Sequence, residues 1–294
     1  MSTRSASEHP LDSVLRERLH LRGENPASLK LIRGLMHSSD AISRVFAGHP
    51  FVALRESEAL LTKLDGLKGQ DLIMALIAQE GGTKITALGL DHVPETGPVV
   101  IASTHPTGLF DFAAHAAALL HKRVDLKVVA NKETEKLLGP DIIVPVTIDK
   151  QNRATSGAGT HSAMQDHLAA DGALLIFGSG RVPDRQHGYL VEPTWRRGAT
   201  FVSKVAQVPI VPAALNAQNS NAYYRLRAFA RFISGGNDNF GAMIGSLRYT
   251  SELMEKLGGS YEVTYGAPLA PGTPPEAIKA IAETLIPNLY RKTA

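Results

Sequence analysis

The chain has 294 residues, 44% of them hydrophobic, and it contains no cysteine. Its length is ample for a folded core in one large domain, or in one large and one smaller domain. Without cysteine the chain has no disulfide, no thiolate metal site and no cysteine nucleophile. The formal net charge is only +3, which does not indicate a field that would capture nucleic acid, so local basic clusters matter more.

The sequence also predicts where in the cell the protein is located. The first twenty residues lack the apolar core of a signal peptide, and no stretch approaches the roughly 18 to 20 apolar residues that span a bilayer. We therefore expect a cytoplasmic protein. Peripheral contact with the inner membrane surface stays open, because the amphipathic segment 60–77 suits a bilayer surface and a helical bundle equally well.

Residues 9–80 have apolar side chains at helical spacing, and no strand pattern interrupts them. Asp40 is a candidate cap for the helical segment that follows it. The glycines at 81 and 82 form a plausible boundary. We predict an N-terminal helical bundle over residues 1–82 and a second domain over residues 83–294.

Beyond that boundary, strands alternate with helices. Helices are predicted at 111–121, 159–170, 198–206 and from 273 onward. The predicted strands are 85–90, 99–103, 126–130, 142–146, 173–177, 209–214 and 261–265. This alternation predicts an α/β fold with a mainly parallel, helix-covered sheet of about seven strands. The glycine-rich segment 234–246 is predicted as a loop.

The most informative segment is PVVIASTHPTGLFD, in which an apolar strand runs into His105. Polar residues at the carboxyl end of a parallel strand lie where open α/β sheets place their sites. Asp111 follows six positions later, where a helix is expected to begin. It is either a plain helix cap or a carboxylate that folds back onto the imidazole, fixes its tautomer and stabilises the imidazolium.

A second turn follows the apolar strand ALLIF and consists of Gly178, Ser179, Gly180 and Arg181. Glycines after a strand let backbone amides approach a phosphate, and an arginine binds phosphate oxygens in pairs. An ordinary tight turn is equally compatible with so short a motif. The segment is not a dinucleotide-binding fingerprint, because it lacks the third glycine and no helix clearly follows.

Further basic residues lie in loops at strand ends. They are Lys132, Arg153, Arg185, Arg196 and Arg197. Singly, each is expected on the solvated surface, whereas together they could surround a phosphorylated substrate or the phosphates of a thioester carrier. The basic aromatic stretch 223–231 is interpreted as a solvated helix and not as a nucleic-acid site.

The order of these motifs resembles the glycerolipid acyltransferase superfamily, from about residue 85 to residue 269. The blocks are HPTGLFD, IFGSGRVPD, EPTWRRGA, VPIVPAALNAQNS and YEVTYGAPL. HPTGLFD has a His-Pro-x-Gly signature with five residues between histidine and aspartate, which is most similar to the hemolysin-type lysophospholipid acyltransferases. The helical N-terminal segment also resembles the helix bundle of the soluble plastid glycerol-phosphate acyltransferases.

The resemblance implies that His105 is a general base oriented by Asp111, and that the turn at 178–181 binds phosphate. Three positions depart from the family pattern. Thr104 stands where the family has asparagine, Gly178 stands where it has proline, and the usual acidic residue of the second block is missing. These departures bear on the acceptor more than on the dyad.

We therefore expect direct transfer of a fatty acyl group from an acyl-CoA or acyl-carrier-protein thioester to a hydroxyl or amine. The acceptor is expected to resemble a lysophospholipid or glycerol phosphate, or to be a small molecule, and no cofactor, metal or nucleic acid is expected. The expected substrate-binding residues are Thr107, Gly108, Lys132, Arg153, Gly178, Ser179, Gly180 and Arg181. Backbone amides of the turns at 107–108 and 178–180 are candidates to stabilise the oxyanion.

Three other functions stay open. A thioesterase would use the same dyad with water as the acceptor. A metallohydrolase would use Asp111 and His115, which are four positions apart, with His105 and His121 nearby, although no HExxH spacing accompanies them. A non-catalytic lipid-binding or carrier-binding protein would have the same fold, and its dyad would have no catalytic role.

Overall fold

The computed structural model describes residues 12, 15, 16, 19, 26–131, 134–146 and 157–290. The chain divides into two compact units. One unit, called the helical unit below, comprises the residues up to 65 together with 220–255. The other, called the sheet unit, comprises residues 66–219 and those from 256 onward.

Eleven helices and nine strands lie in the described residues. The helices are α1 (Pro26–Ala47), α2 (Leu54–Lys63), α3 (Gly69–Ile77), α4 (Leu109–Leu119), α5 (Glu135–Leu138), α6 (Gly157–Ala169), α7 (Gly198–Ala206), α8 (Asn221–Ile233), α9 (Asp238–Gly245), α10 (Tyr249–Met254) and α11 (Pro275–Thr284). The strands are β1 (Lys84–Leu88), β2 (Val99–Ser103), β3 (Lys127–Asn131), β4 (Ile143–Val146), β5 (Ala173–Phe177), β6 (Asp184–Gln186), β7 (Tyr189–Val191), β8 (Ile210–Leu215) and β9 (Ser260–Tyr265).

Seven strands of the sheet unit form one sheet in the order β1-β9-β8-β2-β5-β3-β4. Neighbouring strands are parallel except β8 and β9, which are antiparallel. β2 lies between β8 and β5, and all five of its residues are buried, as its continuous apolar sequence predicts. Because β8, β2 and β5 are parallel, their carboxyl ends share one edge of the sheet.

Helices cover the central strands. Apolar residues of α6, α7 and α11 form a core cluster with Val100 and Ala102 of β2. Side chains alternate along a strand, so Ser103 points to the opposite face from these two residues, toward α4. In α3, Leu72, Ile73, Leu76 and Ile77 are buried. Burial therefore explains the apolar face in this part of the segment 60–77.

Asp40 has a different role from the one predicted. It lies inside α1, and its buried carboxylate accepts the backbone N–H groups of Val52 at 2.6 Å, Ala53 at 3.2 Å and Leu54 at 2.8 Å. These are the orphan donors at the start of α2. Asp40 thus caps the next helix of the helical unit and not the segment that directly follows it in sequence.

The sequence prediction of the fold class is confirmed, since the sheet has seven strands, is mainly parallel and is flanked by helices after an N-terminal helical region. The strand ends differ from the predicted ones by no more than two residues. The hairpin of β6 and β7 was not predicted, and α9 occupies most of the predicted loop 234–246. Asn237 supplies the cap of α9, because its Oδ1 accepts the N–H of Phe240 at 3.2 Å.

The division into units differs from the predicted boundary between residues 82 and 83. The helix α3 belongs to the sheet unit, where it packs against α4. The helices α8 to α10 belong to the helical unit, although they follow β8 in the chain. A composition shift along the sequence marks where strands begin, but it does not reveal which helices return to pack with earlier ones.

Candidate active site

The turn between β2 and α4 carries the predicted dyad, and Gly108 determines its shape. Gly108 has φ 94° and ψ −108°, a conformation that only glycine adopts readily. It lets α4 begin at Leu109, so Asp111 lies in the first turn of the helix. The positive end of the helix dipole favours a carboxylate at this position.

Asp111 is fully buried and has donors on both of its oxygens. Oδ2 accepts the backbone N–H of Gly108 at 2.9 Å and that of Thr107 at 3.0 Å. Oδ1 accepts the Thr107 hydroxyl and lies 3.1 Å from the Thr107 nitrogen. The carboxylate is therefore satisfied in its buried position. Gly108 is the N-cap residue of α4, and Asp111 caps the start of the helix from its first turn, as in a capping box, which does not compete with the dyad.

His105 faces this carboxylate. Its Nδ1 lies 2.8 Å from Asp111 Oδ2, and the His105 side chain is 19% exposed. Nδ1 itself is buried, and its alignment falls short of a hydrogen bond. Catalytic contacts of this kind often align only when substrate binds. Phe177, the last residue of β5, stacks on the imidazole with ring centroids 4.4 Å apart. Because Nδ1 is buried, Nε2 is the nitrogen left for a substrate.

His115 lies one helical turn after Asp111 and is completely buried. Its Nε2 is 2.8 Å from Ser103 Oγ, and its Nδ1 is 3.2 Å from the Tyr265 hydroxyl. Burial lowers its pKa to about 4, although the charge of Asp111 acts in the opposite direction. His115 is therefore neutral at physiological pH and serves as a packed hydrogen-bonding group beneath the turn.

These contacts decide how well the metallohydrolase alternative fits. Both ring nitrogens of His115 have partners, and both oxygens of Asp111 are occupied by the turn. In the part of the chain that the structure describes, no group of three or more His, Asp or Glu side chains is placed to hold a metal ion. The donor set does not fit a metal centre.

The turn after β5 differs from the expected open anion cradle. The Gly178 N–H donates to the Ser103 carbonyl at 2.9 Å, and the Gly180 N–H donates to the Phe177 carbonyl at 3.0 Å. The Arg181 N–H donates to Ser179 Oγ at 3.2 Å. These three donors are used within the protein, so the turn does not offer them to a phosphate or an oxyanion.

The same correction applies to the first turn. The N–H groups of Thr107 and Gly108 both donate to Asp111, so in this structure they are not directed at the position of an oxyanion. Their contribution is to hold the carboxylate. A glycine-rich or Thr-Gly sequence after a strand predicts available amides only if no nearby acceptor takes them.

Trp195 explains why glycine stands at position 178. A Cβ atom at Gly178 would lie 2.0 Å from Trp195 Cδ2, inside the indole. Trp195 is 4% exposed and belongs to the core cluster of the sheet unit. The next residue, Arg196, donates its N–H to the Gly178 carbonyl at 2.9 Å. The indole thus occupies the space that a side chain at position 178 would need.

Glu192 lies buried behind this second turn. The Trp195 Nε1–H donates to Glu192 Oε1 at 3.0 Å. Burial raises the pKa of Glu192 to about 8, although hydrogen bonds from Ser179 and Trp195 act in the opposite direction. Glu192 is therefore mostly protonated at neutral pH, and it joins the turn to the segment that contains Trp195.

Positive charge reaches the second turn through side chains. A Cβ atom at Gly180 would lie 3.9 Å from Arg196 Cζ, which places that guanidinium beside the turn. Burial lowers the pKa of Arg196, and the charge of Arg181 lowers it further. The two guanidinium groups are thus close enough to interact. Of the other predicted cations, Lys132 and Arg153 lie outside the described residues, and Arg185 lies in β6.

Sequence reasoning did not single out four residues that shape the site. They are Phe177, Trp195, Asn219 and Lys256. The strand ALLIF contains Phe177, and the blocks EPTWRRGA and VPIVPAALNAQNS contain Trp195 and Asn219, but nothing in these blocks says which side chains point to the dyad. Asn219 and Lys256 are both buried, and Asn219 Nδ2 donates to the Thr107 carbonyl at 3.3 Å.

The sheet and site define an α/β protein with a histidine–carboxylate pair at the ends of its parallel strands. A family model described as "Acyltransferase" matches residues 54–284, which is most of the chain. The chain therefore belongs to this acyltransferase family, and the match confirms the acyltransferase relation that the order of the motifs predicts.

One solved structure to which the chain is similar is the 1-acyl-sn-glycerophosphate (LPA) acyltransferase PlsC from Thermotoga maritima. The two share 14% sequence identity, with a TM-score of 0.44, and the match covers 86% of this chain and 92% of that one. No curated protein matches the chain.

Proposed function

We propose that this acyltransferase moves a fatty acyl group from an acyl-CoA or acyl-carrier-protein thioester to a hydroxyl or amine of a lysophospholipid-like or glycerol-phosphate-like acceptor. The observation that carries the proposal is the contact between His105 Nδ1 and Asp111 Oδ2 at 2.8 Å, with Asp111 fully buried. A partly exposed imidazole beside an anchored carboxylate is an arrangement that supports general-base catalysis.

In the proposed reaction, His105 Nε2 takes the proton of the acceptor as the acceptor oxygen or nitrogen attacks the thioester carbonyl. Collapse of the tetrahedral intermediate breaks the carbon–sulfur bond, and the imidazolium returns the proton to the leaving thiolate. Asp111 stays ionised and keeps Nδ1 protonated throughout. No acyl-enzyme is formed, so the acyl group passes directly from donor to acceptor.

We assign the anionic part of a substrate to Arg181 and Arg196. Two guanidinium groups beside one turn match the oxygens of a phosphate, on either the acceptor or the carrier. Thr107, Gly108, Gly178, Ser179 and Gly180 then act as the supports of the two turns. Substrate contacts by Lys132 and Arg153 stay a sequence-based proposal.

The test is a product assay. Purified protein is incubated with acyl-CoA and with acyl carrier protein thioesters against lysophospholipids, glycerol phosphate and small alcohols and amines, and acylated products are identified by mass. We expect an acylated acceptor whose formation requires His105. Release of free fatty acid with every acceptor would instead identify a thioesterase, and binding without turnover would identify a non-catalytic protein.

The proposal includes peripheral contact with a membrane and no nucleic-acid partner. In the described residues no helix is long and apolar enough to cross a membrane. One face of α1 nevertheless exposes large apolar side chains, namely Leu31, Leu35, Ile42, Val45 and Phe46. Such a face suits the surface of the cytoplasmic membrane leaflet. The wild-type protein should float with liposomes, and a variant with Val45 and Phe46 replaced by serine should not. Failure of the wild-type protein to float would contradict this contact.

A further inference from the structure

A chain of hydrogen bonds reaches the dyad from two buried residues outside it. Lys256 Nζ donates to Asn219 Oδ1 at 3.2 Å, and Asn219 Nδ2 donates to the Thr107 carbonyl at 3.3 Å. Asn219 is 2% exposed and Lys256 is 5% exposed. Both residues belong to the sheet unit, where Asn219 follows β8 and Lys256 precedes β9.

The lysine determines which way the amide of Asn219 faces. An ammonium group only donates hydrogen bonds, so the amide atom beside Lys256 must be the carbonyl oxygen. The amide NH2 of Asn219 then faces the Thr107 carbonyl, which only accepts. Lys256 therefore holds Asn219 in the one orientation in which its side chain can donate to the turn.

The Thr107–Gly108 peptide passes this constraint on to Asp111. In a planar trans peptide the C=O and the following N–H point in opposite directions. Asn219 holds the Thr107 carbonyl on one side of this peptide, so the Gly108 N–H is directed to the other side. There it donates to Asp111 Oδ2 at 2.9 Å. The same oxygen lies 2.8 Å from His105 Nδ1.

The backbone of Gly108 leaves the preceding peptide open to an external constraint. With φ 94° and ψ −108°, this residue has more freedom than any other residue type, so the peptide before it is not fixed by local sterics. A buried lysine and a buried asparagine are costly to desolvate. Here the asparagine contacts that peptide and the lysine contacts the asparagine.

We propose that Asn219 and Lys256 are positioning residues for the His105–Asp111 pair, acting through the Thr107–Gly108 peptide. This inference rests on the proposed acyl transfer by His105. Neither residue is assigned a contact with substrate, so their replacement should lower kcat while leaving KM for the thioester nearly unchanged.

The main test replaces Asn219 by aspartate and compares it with Asn216→Asp. Aspartate keeps the shape and the contact with Lys256 but cannot donate to the Thr107 carbonyl, whereas Asn216 is exposed in the same segment. We expect Asn219→Asp to lower kcat about 10- to 100-fold, the cost of a misplaced catalytic group. We expect KM within about twofold, and Asn216→Asp to match the wild type.

A second arm tests whether the effect passes through Asp111. In an Asp111→Asn background, Asn219→Asp should lower the residual kcat by less than about twofold, since residues in one network are not additive. If Asn219→Asp acted through a general loss of folding, it would lower the residual kcat by the same factor as in the wild-type background. Equal kcat for Asn219→Asp and Asn216→Asp, or full additivity with Asp111→Asn, would overturn the inference.

Two variants of Lys256 form a matched pair that tests the same inference if Asn219→Asp does not fold. Lys256→Gln keeps an N–H donor for Asn219 Oδ1, whereas Lys256→Met does not. We expect Lys256→Met to lower kcat about tenfold more than Lys256→Gln, and equal kcat for the two would overturn the inference. Activity that survives His105→Ala would instead contradict the proposed function, so the two failures are distinguishable.

Discussion

The two turns at the carboxyl edge of the sheet use their glycines in different ways. After β2, Gly108 lets two amides converge on Asp111, so the turn organises a pair of side chains. After β5, Gly178 makes room for Trp195, and the amides close onto carbonyls of the protein. A glycine-rich turn after a strand therefore becomes a site only through the acceptors around it.

The two turns also rest on buried titratable groups of opposite kind. His115 lies beneath the first turn with a pKa of about 4, and Glu192 lies behind the second with a pKa of about 8. Desolvation is the main cause in both cases and favours the neutral form of each. We therefore expect the first turn to be weakened by acid and the second by alkali.

Removing the general base has the largest expected effect on kcat. It abolishes the function of the first turn and leaves the second turn unchanged. His105→Ala should lower kcat by about four orders of magnitude, as expected for disruption of a histidine–carboxylate unit. His121→Ala is the matched control, since His121 is exposed and has no contact with the dyad assigned to it. Steady-state kinetics and circular dichroism would measure both variants, and near wild-type turnover by a folded His105→Ala would rule out this base.

Glu192 should give the second turn an alkaline limit. Its pKa is about 8 in the folded protein and 4.5 in the reference state, so between these values the folded state binds a proton that the unfolded state does not. The contribution of Glu192 to stability is full below pH 4.5 and is lost as the pH rises to about 8, by about 5 kcal/mol at most. Urea unfolding of Glu192→Gln should lack this fall. The same slope in variant and wild type would contradict the assignment.

His115 should give the first turn an acid limit. Its pKa is about 4 when folded and 6.5 in the reference state, so between these values the unfolded state binds the extra proton. The contribution of His115 to stability is full above pH 6.5 and is lost as the pH drops toward 4, by about 3 kcal/mol at most. Unfolding midpoints of His115→Gln between pH 4.5 and 7.5 should vary less than those of the wild type. An unchanged acid dependence would show that another group is responsible.

The sequence predicted the fold well because the central strands are unambiguous. A strand such as VVIAS is apolar on both faces, which occurs when helices cover both sides of a parallel sheet, and β2 is buried at every position. The hairpin of β6 and β7 has only three residues in each strand, too few for an alternating pattern to stand out.

The candidate site was predictable in part for a related reason. His105 and Asp111 are close in sequence, and a helix start after a Pro-Thr-Gly turn brings them together locally. Lys256 is far from both in sequence, and it reaches the dyad through Asn219 only because β8 and β9 are neighbours. The Gly178 N–H donates to the distant Ser103 carbonyl, and the N–H groups of Gly180 and Arg181 donate to Phe177 and Ser179, so the motif alone did not show that these donors are occupied.

The smallest expected effects are the losses of stability when each of the two glycines of the second turn is replaced by alanine. A Cβ at Gly178 would lie 2.0 Å from Trp195 Cδ2, whereas a Cβ at Gly180 would meet nothing closer than 3.9 Å. We expect Gly178→Ala to lower the free energy of unfolding by about 3 kcal/mol, the cost of overpacking a core. Gly180→Ala, at φ 61°, should cost about 1 kcal/mol of left-handed strain.

A double-mutant cycle decides whether the indole is the cause of the larger effect. Combined with Trp195→Leu, Gly178→Ala should cost less than it does alone, because the smaller side chain leaves room for the new methyl group. Gly180→Ala should cost the same with either residue at position 195, since its strain is in its own backbone. An equal cost of Gly178→Ala in both backgrounds would mean that the indole of Trp195 is not the cause.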